Sequence, residues 1–143
     1  MEQQFRRLAH SIWDCKYHVI WIPKYRRKEL YGKRREIVVR TIKKWAQIKE
    51  VVILEGHAMK DHIHLCLAIP PKYSVSGMIG LLKGKSASEV MSFGTRASRM
   101  VRGRTFWARG YCVSTVGLDE ATVREYIRNQ EKEDRRQEEF NLL

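Results

Sequence analysis

The stretch that decides the fold is residues 51–71, which read VVILEGHAMKDHIHLCLAIPP. Residues 51–59 and 62–69 are rich in β-branched and other apolar side chains, which favours two strands. Only Lys60 and Asp61 separate them, so the spacing predicts an antiparallel hairpin. Two prolines then end the second strand, because proline has no backbone N–H to donate to a sheet.

Outside this hairpin the apolar residues change period from segment to segment. Upstream, residues 12–22 alternate as a half-buried strand does, and residues 35–49 carry apolar side chains at helical spacing. Downstream, the patterns predict a helix over 74–93, a strand over 105–116 and a helix over 119–139.

Three residues set the expected limits of the downstream elements. Ser74 or Ser76 is expected to cap the first helix and Asp119 the last, and Gly110 is expected to bend the strand between them. The order β-α-β-β-α-β-α predicts an α+β fold of the ferredoxin-like (RRM-like) type. This is an antiparallel sheet with helices on one face, to which a C-terminal helix is added.

Charge is distributed unevenly along the chain. The sequence has 28 Lys and Arg against 16 Asp and Glu, a net charge of +12. Residues 1–118 carry 23 basic and 8 acidic residues, whereas residues 119–143 carry 5 and 8. We therefore divide the single domain into a basic core and a C-terminal arm. A body this positive favours a polyanionic partner, of which nucleic acid is the usual one; the alternative is that the charge serves solubility alone.

Composition excludes several other classes of protein. No segment approaches the ~20 apolar residues of a membrane span, and the polar, basic N-terminus is unlike a signal peptide. We therefore expect a cytoplasmic protein. Cys15, Cys66 and Cys112 are scattered and show no CxxC spacing, which argues against a disulfide framework and against structural zinc.

His62 and His64 are the first candidates for chemistry. Residues two apart on a strand face the same side, so both imidazoles project together, while Ile63 and Leu65 face the core. Two such histidines can bind one divalent metal. Asp61 is expected to face away by the same alternation and to be a poor third ligand. The alternative is a pair of sheet histidines that bind nothing.

Tyr126 and Gln130 are the second pair. Four residues apart on a helix places both side chains on one face. A tyrosine can be a nucleophile, and an amide oxygen can bind a hard metal ion. Exposed helices offer many such pairs by chance, so this spacing is informative only beside the histidines.

Together these features resemble the HUH single-tyrosine transposases (TnpA) of the insertion-sequence 200/605 family. Short sequence motifs shared with the family occur in the same order between residues 9 and 133. They are CKYH (15–18), PKYRR (23–27), DHIH (61–64), LKGKS (82–86), FWARGY (106–111) and TVG (115–117).

The resemblance implies a role for each candidate residue. His62 and His64 would be the HUH pair and Gln130 the third ligand of Mg²⁺ or Mn²⁺. Tyr126 would be the nucleophile that cleaves and rejoins single-stranded DNA at element ends through a 5′-phosphotyrosine. Residues 1–118 would form the endonuclease core and residues 119–143 the catalytic-tyrosine helix.

The resemblance also implies partners and a setting. Family members are homodimers that recognise DNA hairpins, and the cell would be a bacterium or archaeon. The last helix has few apolar residues, so its own core would hold it weakly. We therefore expect active sites shared between subunits. No nucleotide cofactor is expected, because the glycine that a P-loop needs five residues before Gly84 is Ile79.

Basic residues interleaved with aromatic ones are the expected DNA contacts. These are Lys24, Tyr25, Arg26, Arg27, Lys83, Lys85, Arg104 and Arg109. Phe106, Trp107 and Tyr111 are further stacking candidates, although core packing explains any single aromatic residue equally well.

Three alternatives remain at this point. A histidine-triad nucleotide hydrolase needs a third histidine where this chain has Cys66. An RNA-binding module of the same topology places aromatic side chains where this chain has His62 and His64. A replication initiator or relaxase would use the same HUH chemistry in a larger protein.

Overall fold

The computed structural model of the chain describes residues 6–8, 11–93, 105–115 and 120–141. Its strands are β1 (Arg6–Leu8), β2 (Ser11–Trp13), β3 (Lys16–Trp21), β4 (Val52–Met59), β5 (His62–Ala68) and β6 (Cys112–Ser114). Its helices are α1 (Gly32–Ile48), α2 (Val75–Met91) and α3 (Glu120–Asn141), and a short 3₁₀ turn spans Lys24–Arg26. From β3 onward, the order of strands and α-helices is the predicted one.

The main sheet has four antiparallel strands in the order β4-β5-β3-β6. β5 lies between β3 and β4, which are consecutive in the sequence, and this is the ferredoxin-like arrangement. The predicted hairpin is the β4–β5 pair. The structure therefore confirms the predicted α+β fold class.

One face of this sheet packs against α1 and α2. The inward side chains of β3 and β5 include Val19, Trp21 and Ile63, and they meet Val38 of α1 and Leu82 of α2 in one buried cluster. Burying each such side chain contributes roughly 1.5–3 kcal/mol. This packing fixes which face of the sheet points inward, and so leaves the opposite face for polar residues.

The predicted strand over residues 12–22 is wrong in its continuity. β2 pairs with β1 in a separate two-stranded sheet, whereas β3 joins the main sheet. Between them, the backbone carbonyl of Cys15 accepts a hydrogen bond from the backbone N–H of Ile69 at 3.0 Å. Apolar alternation runs through both strands, so the pattern carries no sign that the chain changes partner.

The predicted strand over residues 105–116 is shortened to β6. The Lys83 ammonium donates to the carbonyl oxygens of Ala108 (2.9 Å) and Gly110 (2.7 Å), and the Trp107 indole donates to the Lys83 carbonyl (3.1 Å). The two carbonyls bound by Lys83 are backbone groups that strand pairing would use, and Trp107 makes only an isolated β-bridge with Pro23. Gly110 does turn the chain, with φ at +80°, a conformation that suits glycine.

Helix α2 begins as predicted. The Ser74 side chain accepts a hydrogen bond from the backbone N–H of Gly77 at 3.0 Å and so caps its first turn. The expected cap of α3 at Asp119, and the boundary between residues 118 and 119, lie outside the described residues.

Helix α3 docks on the core of its own chain. Ile127 is buried with Ile22 and Ala108, and Asp134 is only 1% exposed. The helix therefore has more anchoring than its few apolar residues suggested, and much of that anchoring is polar. None of the described helices is long and apolar enough to cross a membrane.

Candidate active site

The outer face of the sheet gathers four of the five histidines of the chain. Strand pairing places His64 opposite His57, His62 opposite Met59, and His18 opposite Cys66, two residues beyond His64 on β5. The ring of His64 lies 5.7 Å from that of His18 and 6.2 Å from that of His57, centre to centre. His62 and His64 share this face, as the alternation predicts.

His62 is held by its neighbour in the chain. Its Nδ1 lies 2.9 Å from Oδ1 of Asp61, which leaves Nε2 as the free ring nitrogen. The prediction that Asp61 faces away is wrong, because Asp61 lies in the turn before β5 and does not follow the pleat. Burial raises the pKa of Asp61, but hydrogen bonds from His62 and Arg26 outweigh it and hold the pKa below its usual value.

His64 is biased towards the neutral imidazole. Burial lowers its pKa, and the neighbouring His18, His57 and His62 lower it further, since like charges repel. A neutral imidazole has a lone pair that a metal ion can accept. The lowered pKa of His64 and the shared face of the two histidines suit the binding of a divalent metal ion. Among the described residues, no cluster of three or more His, Cys, Asp or Glu has metal-binding geometry.

Tyr126 lies on the histidine side of the sheet. It packs against a small buried cluster that contains Ile22, and Ile22 continues by alternation the face of Ile20. Ile20 pairs with His64 on one side and with Cys112 on the other. The structure thus brings the predicted nucleophile to the face that carries the predicted metal ligands.

The Tyr126 hydroxyl is buried and has no hydrogen-bond partner among the described residues. Burial raises the pKa of Tyr126 above its ordinary value, and the nearby Cys112 and Asp134 add to this effect. The phenol is therefore neutral as the helix sits here. Gln130 follows one turn later on the same helix and is half-buried.

Helix α3 makes ion pairs with the basic 3₁₀ turn. Asp134 lies 3.4 Å from the Lys24 ammonium, and Glu131 lies 3.2 Å from the Arg26 guanidinium. Neither acidic residue was predicted as a contact, because most charged residues of a helix are exposed to solvent. A signal was present: Ile127, Glu131 and Asp134 follow one another at helical spacing, so they share a face.

The other predicted DNA contacts are placed differently from one another. The Lys85 ammonium lies 4.5 Å from the centre of the Trp45 ring. The Lys83 ammonium donates hydrogen bonds to two backbone carbonyls, whereas Arg109 is exposed. Arg104 lies outside the described residues. The Tyr25 ring lies within 5.2 Å of the Arg27 guanidinium.

Two of the proposed stacking aromatics are corrected. Phe106 and Trp107 are 3% and 5% exposed, and their rings pack edge to face at 4.7 Å. Trp107 also packs against Trp21 in the core. They stabilise the fold and are not available to unpaired bases, whereas Tyr111 remains half-buried.

Comparison with known proteins gives consistent matches. The family described as "Transposase IS200 like" matches residues 11–130. A transposase for insertion sequence element IS200 from Salmonella typhimurium is 43% identical over 137 residues, which cover 96% of this chain and 90% of that protein.

Two solved structures share the fold. A transposase candidate from Deinococcus radiodurans R1 superimposes with a TM-score of 0.75 at 25% identity, covering 87% of this chain and 97% of that one. A REP-associated tyrosine transposase bound to a REP hairpin has a TM-score of 0.55 at 11% identity, covering 85% and 68%. At that identity the second match shows the fold alone.

Proposed function

Because this chain belongs to the IS200-like transposase family, we propose that it cleaves and rejoins single-stranded DNA at the ends of its element through a covalent bond to Tyr126. The observation that carries this proposal is the placement of Tyr126 on the sheet face that presents His62 and His64. A structural role for Tyr126 alone does not explain a buried hydroxyl that has no hydrogen-bond partner among the described residues.

The proposed reaction is a transesterification. Tyr126 Oη attacks a DNA phosphorus in line, the bond to the 3′-oxygen breaks, and that oxygen takes up a proton while the phenol gives up its own. The products are a 5′-phosphotyrosine and a free 3′-hydroxyl. Because the phosphotyrosine keeps the energy of the broken bond, the reverse attack by a 3′-hydroxyl rejoins DNA without a nucleotide cofactor.

His62 and His64 would hold a divalent metal ion, Mg²⁺ or Mn²⁺, and Gln130 would add an oxygen from the helix. When bound, the ion would neutralise phosphate charge and lower the cost of ionising the phenol. The protein's own residues orient the reaction: Asp61 fixes the His62 ring, and α3 carries Tyr126 and Gln130 on one face. The raised pKa of Tyr126 implies that α3 must shift, or the site must gain positive charge, before attack.

The proposed substrate is a hairpin with single-stranded flanks. A structural relative is bound to a REP hairpin, and residues 1–118 of this chain have the positive charge that such a ligand needs. The turn residues Lys24, Tyr25, Arg26 and Arg27, together with exposed Arg109, are the proposed contacts. Lys83, Lys85 and Arg104 complete the predicted set.

We further propose a homodimer with shared active sites. The contacts of α3 with its own turn are made by elements that every copy carries, so α3 of one subunit can make them on a second subunit. In such an exchange the histidines of one subunit meet the tyrosine of the other. Mixing inactive His64→Ala with inactive Tyr126→Phe, under conditions of subunit exchange, should then restore adduct formation. A mixture that stays inactive would place the whole site within one chain.

The function itself is tested with a single-stranded oligonucleotide that carries the ends of the element and its hairpin. In Mg²⁺ or Mn²⁺ the wild-type chain should form a DNA adduct that survives denaturing electrophoresis, and EDTA should prevent it. Tyr126→Phe should form none, although it keeps the volume of the side chain. An adduct of wild-type yield in EDTA, or in Tyr126→Phe, would contradict the proposal.

A further inference from the structure

The turn at Lys24–Arg26 has an unusual backbone. Tyr25 and Arg26 both have positive φ, 60° and 53°, which residues with a Cβ rarely adopt. The backbone N–H of Tyr25 donates to Oδ2 of Asp134 at 3.0 Å. Since Asp134 is a nearly fully buried residue of α3, the docking of this helix and the shape of the turn support each other.

This turn directs Arg26 towards two carboxylates. Nε of Arg26 donates to Oδ2 of Asp61 at 3.1 Å, and its Nη1 donates to Oε2 of Glu131 at 3.2 Å. Asp61 belongs to the β4–β5 turn and Glu131 to α3. A planar guanidinium presents several donors in fixed directions and can hold both groups at once, which the point charge of a lysine does less well.

Asp61 extends the connection to the histidine pair. Its other oxygen, Oδ1, lies 2.9 Å from Nδ1 of His62. A carboxylate on the far nitrogen of a metal-binding histidine fixes the tautomer and the ring orientation. A continuous chain of polar contacts therefore runs from the tyrosine helix to a predicted metal ligand: Glu131, Arg26, Asp61, His62.

We propose that Arg26 is a positioning residue that aligns the two halves of the active site. Through Asp61 it orients His62, and through Glu131 it holds the helix that carries Tyr126. The inference rests on the proposed function, because it assumes that His62 binds metal and that Tyr126 reacts. Arg26 itself touches no reacting atom.

The two arms of this contact, from Arg26 to Asp61 and from Arg26 to Glu131, can be removed separately by substitution. Asp61→Ala removes only the arm to the histidine, so it should weaken metal binding. Glu131→Ala removes the arm to the helix, together with an ion pair between Glu131 and exposed Arg135 (3.2 Å), so it should slow adduct formation when the metal ion is saturating. Arg26→Ala should do both. Arg27→Ala is the matched control for metal binding without DNA, because it removes the same charge from the next residue, for which no contact with Asp61 or Glu131 is seen.

The first measurement is Mn²⁺ binding by the full chain without DNA, followed by electron paramagnetic resonance. Arg26→Ala and Asp61→Ala should raise the Kd for Mn²⁺ roughly tenfold to a hundredfold, while Glu131→Ala and Arg27→Ala should leave it within about twofold. Combining Arg26→Ala with Asp61→Ala should weaken Mn²⁺ binding no more than the stronger single change, because both act through one path.

The second measurement is the rate of adduct formation at saturating Mn²⁺ and saturating DNA. Arg26→Ala and Glu131→Ala should be slower than Arg40→Ala, which removes a positive charge from an exposed position of α1. If circular dichroism shows that Arg26→Ala is unfolded, Arg26→Lys tests the same point with the charge kept.

An Arg26 variant that binds Mn²⁺ as tightly as Arg27→Ala would overturn the positioning role. Wild-type protein that binds Mn²⁺ but forms no adduct would instead contradict the proposed function. In that case the Mn²⁺ comparison between the two arginines would still decide the role of Arg26.

Discussion

The β4–β5 hairpin and helix α3 each carry one half of the proposed active site, yet they are held in place by different forces. β5 pairs with a strand on each side, and Ile63, Leu65 and Leu67 are buried behind its histidines. Among the described side chains of α3, Ile127 is the buried apolar anchor, and Asp134 and Glu131 add ion pairs. The histidines therefore stand on a strand whose opposite face is buried in the core. The helix that carries the tyrosine is held to a larger extent by polar contacts.

The largest expected effect comes from removing a ligand on the hairpin side. His64→Ala should reduce adduct formation to below detection, because one imidazole holds a metal ion poorly, while the fold keeps its core. Affinity for the hairpin should change by less than about tenfold, or 1.4 kcal/mol. Cleavage at the wild-type rate would show that the histidine face has no part in the reaction.

A large loss of stability is expected from the buried side of the same hairpin. Leu67 is fully buried, so Leu67→Ala should lower the free energy of unfolding by about 2–5 kcal/mol, measured by urea denaturation. Val52→Ala is the control, since Val52 is exposed on β4 and its loss should cost less than about 1 kcal/mol. Equal effects of the two changes would mean that β5 is not the rigid half.

The helix half should respond locally. Asp134→Ala removes the acceptor of the Tyr25 N–H and the partner of Lys24. It should therefore lower hydrogen-exchange protection in α3 by about 1–3 kcal/mol and leave β5 unchanged. Arg128→Ala, at an exposed position of the same helix, is the control. Loss of protection in β5 as well would show that helix and sheet unfold as one unit.

The smallest effect on the stability of the fold is expected from a change at Tyr126. Its hydroxyl is buried without a described partner, so Tyr126→Phe should leave stability unchanged or raise it by up to about 1 kcal/mol near neutral pH. Burial raises the pKa of the phenol above 10.0, so the folded state holds the proton more tightly than the unfolded state. The wild type should therefore lose stability as the pH rises above about 10, and the variant should lose less. Urea titrations at pH 7 and pH 10.5 measure both effects, and a variant less stable than wild type at both would contradict this interpretation.

Short-range sequence patterns predicted much of the fold. Alternation predicted the shared face of His62 and His64. Residue type predicted a cap for α2 at Ser74 or Ser76, and the structure shows that Ser74 is the cap. The strand over residues 105–116 was overpredicted because Lys83, some twenty-five residues earlier in the sequence, takes the carbonyls of Ala108 and Gly110. A local sequence pattern does not reveal a contact between residues that lie this far apart in the sequence.

The candidate residues of the site could be named from the sequence, but the contacts that hold them in place could not. Asp61 was assigned by the strand alternation, but it belongs to a turn, where that rule does not hold. Asp134 and Glu131 were not named as contacts, because most charged residues of a helix are exposed to solvent. Their contacts with the turn depend on the left-handed backbone of Tyr25 and Arg26, which sequence periodicity does not reveal.

The measurement that tests the central claim most directly is the position of the DNA on the chain. Wild-type protein is incubated with the single-stranded element end and Mn²⁺, digested with protease and nuclease, and mapped by mass spectrometry. The account predicts one modified peptide, with a nucleotide joined through its 5′-phosphate to Tyr126. A nucleotide on Tyr111 or Tyr73, or cleavage that leaves no protein-bound DNA, would contradict it.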